Sequence, residues 1–167
     1  MNSYKTLQDL IPNAEKKLQN LMNVERHQVK IFLSSSFSSS SASLSSSSAS
    51  FLHYNSSLPQ ILPICGIAGE VFKGNKYLYV ANPNNNPLFN GLVDINTNLP
   101  LICLPINLMN SKKTLGVFQV PNARGVGGDR LRKNDISAAD LELLEFFSNQ
   151  IAQMIFMVAG LKEEETI

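Results

Sequence analysis

The chain has 167 residues, of which 44% are apolar and 16% charged, and its net charge is +1. That length suits one domain with a real core, and the near-neutral balance excludes the strong field of a nucleic-acid or anionic-membrane binder. Two cysteines, Cys65 and Cys103, are too few for a disulfide framework or a zinc centre. No stretch approaches the roughly 20 apolar residues of a membrane span, and residues 1–23 lack the apolar core of a signal peptide. A cytoplasmic protein without metal or cofactor is expected.

In chain order, Leu7, Leu10, Ile11, Ala14, Leu18, Leu21 and Met22 recur at three- and four-residue steps, which predicts an amphipathic helix. Pro12 fits best in a first turn, so the regular helix is expected to begin near it. Residues 28–33 carry the β-branched and aromatic content of a strand. Residues 34–57 are then almost all serine, interrupted by Phe37, Leu44, Phe51, Leu52, His53 and Tyr54. Such composition buries too little apolar surface to offset its ordering entropy. A flexible low-complexity insertion at 34–57 is expected, inside a single domain spanning 7–160.

Cys65 to Phe72 reads as a short helix opened by Gly66, followed by a turn at Gly74-Asn75. Residues 77–81 form a predicted strand, 82–87 an asparagine- and proline-rich loop, and 88–94 a predicted short helix. Two strands at 101–106 and 115–120 flank a polar hairpin. Ser137 three residues before Asp140 marks a capping-box-like helix start. The long helix that follows carries Leu141, Leu144, Phe147, Ile151 and Ile155 on one stripe, with Phe146, Gln150, Met154, Met157 and Val158 beside it. That stripe is wider than one sheet contact needs. Residues 161–167 read as a solvated tail. The fold class is therefore α/β, in its α+β form, with an antiparallel sheet covered mainly on one face by the terminal helices.

Residues 66–155 resemble a GAF domain of the kind found in cyclic-nucleotide phosphodiesterases. Gly66-Ile67-Ala68-Gly69-Glu70-Val71 is similar to the family's glycine-rich helix start. Val93-Asp94-Ile95-Asn96-Thr97 resembles its Val-Asp-x-x-Thr ending of a loop and short helix. Ile102-Cys103-Leu104-Pro105-Ile106 resembles its Leu-Cys-x-Pro-Ile strand, and Leu115-Gly116-Val117 through Asn122 its Ile-Gly-Val-x-x-x-x-Asn strand. The helix start at Asp140-Leu141 also corresponds. The resemblance implies the GAF fold: a central antiparallel sheet, N- and C-terminal helices on one face, and short helices and loops over a ligand pocket on the other.

The resemblance also implies a candidate ligand set of Val93, Asp94, Thr97, Asn122 and Asp140, and a cyclic nucleotide or similar small molecule as ligand. Several family positions have changed. The lysine after the asparagine is Ala123, the phenylalanine is Ile136, and the glutamate after the aspartate is Leu141. The family's Thr-Gly-Phe-x-Thr is Thr97-Asn98-Leu99-Pro100-Leu101. Two or three lost polar contacts, at about 1–3 kcal/mol each, can remove micromolar binding. Asp94 and Thr97 can equally cap the short helix and shape its exit. The basic residues Arg124, Arg130, Arg132 and Lys133 suit a phosphate, an acidic partner or a solvated loop.

One enzymatic reading exists, because some small GAF proteins reduce oxidised free methionine with thiols. Cys65 and Cys103 then become nucleophile and resolving thiol, although both sit in apolar contexts where thiols are inert. A non-catalytic module is expected instead. Its partner is another protein or a second copy of the chain, bound through the terminal helices at Leu18, Leu21, Met154 and Met157, for example in a ciliary, cytoskeletal or signalling assembly. The alternative is a ligand-sensing regulatory domain.

Overall fold

The computed structural model describes residues 6–24, 28–38, 49–55, 58–108, 112–122 and 136–159. The first helix, α1, spans Leu7–Met22. It covers the whole expected stripe and begins ahead of Pro12, because the Thr6 hydroxyl accepts a hydrogen bond from Asp9 N at 3.3 Å and caps it. Pro12 therefore lies inside the helix and not in its first turn. The adjacent Asn13 side chain donates to Asp9 O at 2.7 Å. Asn23 closes the helix with φ 53°, a left-handed cap.

Six strands form one antiparallel sheet. They are β1 (Lys30–Ser34), β2 (Ser50–His53), β3 (Gln60–Pro63), β4 (Leu78–Val80), β5 (Leu101–Asn107) and β6 (Thr114–Pro121). Their spatial order is β3-β2-β1-β6-β5-β4. Four of them are the strands expected from the sequence; β2 and β3 are not. The serine-rich segment is thus ordered at both ends. Ser34 closes β1, a four-residue helix α2 (Ser35–Ser38) follows, and the chain re-enters the sheet at Ser50. Residues 39–48 lie outside the described residues.

Composition misleads here because four adjacent residues, Phe51 to Tyr54, concentrate the apolar surface of the whole segment, and all four are buried. Phe51 stacks against Phe32 at 5.4 Å between ring centroids and meets Phe72 edge-on at 5.5 Å. His53 donates from Nε2 to Glu15 of α1 at 3.0 Å. The same Glu15 oxygen accepts from Ile31 N at 3.0 Å, just past the end of the β1–β2 ladder. Glu15 thereby ties α1 to two strands.

Alternate residues of each strand point to opposite faces. Ile31, Leu33, Leu52, Ile102, Leu104, Ile106, Phe118 and Val120 pack with α1 and with the C-terminal helix. Phe32, Phe51, Leu62, Leu101, Cys103 and Val117 pack on the other face with α3 (Gly66–Gly74) and with Val93 and Ile95. The C-terminal helix, α4, spans Ala138–Ala159, and Asp140 N donates to Ser137 Oγ at 3.1 Å as a capping start requires. The terminal helices share one face, as expected. Gly116 is required where β6 meets β1, since a Cβ there would lie 2.0 Å from Phe32 O.

The expected short helix at 88–94 is a series of turns, preceded by a 3₁₀ turn at Pro83–Asn85. Asparagine side chains explain this. Asn86 Oδ1 accepts from Leu88 N at 2.9 Å and Asn90 Oδ1 from Leu92 N at 3.0 Å, so local side-chain bonds replace the helical ladder.

Candidate functional site

Asp94 is 2% exposed and accepts four hydrogen bonds. Its Oδ2 accepts from Ile67 N at 2.8 Å and Asn90 N at 2.9 Å. Its Oδ1 accepts from Ala68 N at 3.0 Å and from Gln119 Nε2 at 2.7 Å. Gln119, with no exposed surface, returns a bond by accepting from Ile95 N at 3.0 Å through Oε1. The carboxylate thus caps α3 at its positive end, pins the preceding turn and reaches the central strand β6. Gly66 makes this approach possible. Its φ is +72°, and a Cβ there would lie 2.3 Å from Asp94 Oδ2.

The helix that Asp94 caps is α3 and not the expected short helix at 88–94, which is absent. Val93 has no accessible surface and Ile95 is 4% exposed. Both side chains belong to the core packed against α3. Thr97 is buried and its hydroxyl accepts from Leu99 N at 3.1 Å, shaping the exit of the loop. Asn122 anchors the end of β6 by donating from its backbone N to Pro100 O at 2.7 Å. Its side-chain oxygen is buried without a partner among the described residues. Asp140 is buried at the start of α4, on the helix face of the sheet, whereas Val93 belongs to the core on the other face. The five candidates therefore do not line one pocket.

Gln119 and Gly66 belong to the Asp94 network but not to the expected ligand set. A glutamine within the apolar run of β6 was the available signal, because a buried amide needs partners. Residues 123–135, including Arg124, Arg130, Arg132 and Lys133, lie outside the described residues.

Cys103 is fully buried and Cys65 half-buried at the start of α3. Burial pushes both thiols above their ordinary range, and the Asp94 charge pushes them further. Lys73 partly offsets this for Cys65, and a hydrogen bond with Gln119 for Cys103. A raised thiol carries little thiolate near neutral pH, the opposite of what a nucleophile needs. Among the described residues no group of three His, Cys, Asp or Glu side chains could hold a metal ion, and no helix is long and apolar enough to cross a membrane.

The proposed interface residues divide. Leu18 has no accessible surface and belongs to the core, because α1 turns it toward the sheet. Its place in an interface is corrected accordingly. Met154 is half-buried against the same core. Leu21 is 43% and Met157 81% exposed, and Phe146, on the flank of the same stripe, is 63% exposed.

No protein-family model matches the sequence, and no curated protein matches it. Solved structures do match the fold. A GAF domain from an Acinetobacter phosphoenolpyruvate-protein phosphotransferase superposes with a TM-score of 0.65 at 18% identity, covering 95% of this chain and 87% of that one. The GAF domain of a two-component sensor histidine kinase from Bacillus halodurans gives 0.55 at 17% identity, covering 93% and 97%. A type II free methionine-R-sulfoxide reductase from Thermoplasma acidophilum gives 0.53 at 10% identity, covering 90% and 97%. The antiparallel sheet with its three longer helices is the GAF fold.

Proposed function

We propose that this chain, which carries the GAF fold, is a non-catalytic module that works through protein contacts, as a structural or regulatory part of a larger assembly. The observation that supports this reading is the Asp94 network. The residue whose family position suggests a ligand contact has both oxygens engaged within the fold, and the neighbouring Val93 and Ile95 are buried in the core. The departures at Ala123, Ile136 and Leu141 point the same way. The apolar surfaces of Leu21, Phe146 and Met157 supply the contact face, and a second copy or another protein is its partner. A ciliary, cytoskeletal or signalling assembly is the proposed setting.

The competing reading is a small-molecule sensor of the cyclic-nucleotide type. It draws on neighbours such as the GAF domain of a sensor histidine kinase. Calorimetry with cyclic AMP and cyclic GMP separates the two. The expected result is no binding tighter than about 10 μM, since the donors and acceptors that would grip the ligand already bind one another. A submicromolar isotherm would replace the interaction reading with the sensor.

A further inference from the structure

The turns that stand in place of a helix at 88–94 contain one arrangement twice. Asn86 Oδ1 accepts from Leu88 N and Asn90 Oδ1 from Leu92 N, so each side chain folds back over the peptide unit that follows it. The residue in between differs. Pro87 has no N–H, whereas Gly91 N keeps its hydrogen and donates it to nothing among the described residues. Gly91 is exposed and carries no side chain to shield that nitrogen. Asn90 Nδ2 is likewise held by no hydrogen bond among the described residues. Asn90-Gly91 is the only asparagine–glycine pair in the sequence.

We propose that Asn90 is a self-modification site, which loses its side-chain amide through a succinimide and becomes aspartate or isoaspartate. Gly91 N gives its proton to hydroxide and bonds to Asn90 Cγ, while the Cγ–Nδ2 bond breaks and Nδ2 leaves as ammonia. The negative charge that builds on Oδ1 during the attack faces Leu92 N, which already donates to that oxygen at 3.0 Å. Water then opens the ring at Cγ to give aspartate, or at the main-chain carbonyl to give isoaspartate.

The change falls on the Asp94 network. Asn90 N donates to Asp94 Oδ2 at 2.9 Å, and Asn90 O accepts from Val93 N at 3.1 Å and from Asp94 N at 2.8 Å. Both products bring a second carboxylate beside the buried one of Asp94, and like charges repel. Isoaspartate also routes the main chain through Cβ and Cγ and turns the accepting carbonyl into a free carboxylate. The modified turn therefore supports Asp94, and through it α3, less well. The site rests on the chemistry of the chain itself, so it stands or falls independently of the interaction reading.

Incubation of the full folded chain at mildly alkaline pH and physiological temperature tests it, read by peptide mass spectrometry with isoaspartate detection. The expected result is conversion at Asn90 that quickens as pH rises, because the attacking nitrogen must lose its proton, while Asn86 stays intact. Gly91→Pro should abolish the conversion, and it removes an N–H that makes no bond in the fold. Gly91→Ala, whose Cβ would meet Phe89 Cε1 at an ordinary 3.8 Å, should keep the fold and slow the conversion about tenfold. The aged wild-type chain should melt lower than the fresh one, and the aged Gly91→Pro chain should not. An intact Asn90, or conversion that neither variant slows, overturns the proposal. Conversion that leaves the melting temperature unchanged overturns its link to Asp94.

Discussion

Replacing Asp94 with alanine is expected to leave the chain largely unfolded near physiological temperature. The substitution strips the acceptor from Ile67 N, Ala68 N, Asn90 N and Gln119 Nε2 at once. Each buried donor left without a partner costs about 1–3 kcal/mol. Shared relaxation makes these costs less than additive, so a total loss of about 3–6 kcal/mol is expected. That is a large part of the roughly 5–15 kcal/mol that holds an ordinary domain together. Asp94→Asn keeps the shape but turns an amide N–H₂ toward backbone N–H donors, so about 2–4 kcal/mol should go. Urea unfolding measures both. A ligand contact would behave in the opposite way, with stability preserved and small-molecule affinity gone.

Phe51→Ala is expected to cost about 3–5 kcal/mol, the range for removing a large buried aromatic. Phe51 has no exposed surface, stacks on Phe32 and meets Phe72, and its strand joins β3 to the rest of the sheet. The outcome matters because composition alone places Phe51 in a dispensable serine-rich insertion. Amide exchange gives a second readout, and slow exchange at Leu52 and His53 is expected within the β1–β2–β3 pairing. A loss below about 1 kcal/mol, with fast exchange there, would restore the flexible insertion over its full length.

The elements legible in the sequence were those with a sustained period. The stripe of α1, the stripe of α4 and the apolar runs of β1, β5 and β6 each repeat long enough to fix their type. β2 was hidden because its four residues follow a long serine run, and a window average dilutes them. β3 was hidden because Pro59 and Pro63 bracket it and read as loop. Both prolines suit an edge strand, where a missing N–H faces away from the ladder.

The candidate site was legible only in part. The sequence offered Asp94 as a ligand contact or a cap of the local 88–94 segment, and its bonds to the α3 amides depend on Gly66, 28 residues earlier in the chain. Gln119 shows the same limit. Its neighbours in β6 are apolar, but the partners that make it a strut lie 24 and 25 residues away, at Ile95 and Asp94. Leu18 failed for a simpler reason. A wide apolar stripe shows that a helix has more than one apolar neighbour, but not which residue meets which one. Leu18, on the stripe of α1, packs into the core that the sheet and α4 share.

The contact face itself gives the most direct test. Phe146→Glu with Met157→Glu places two charges on the outer side of α4, where both side chains are exposed and neither supports the core. Sedimentation of the wild-type chain and the double variant, with a pull-down from lysate beside it, reads the outcome. The wild-type chain is expected to self-associate or retain a protein partner, and the double variant to fold with unchanged melting temperature but stay monomeric and capture nothing. A wild-type chain that is monomeric at high concentration and retains no more than the double variant would contradict this expectation.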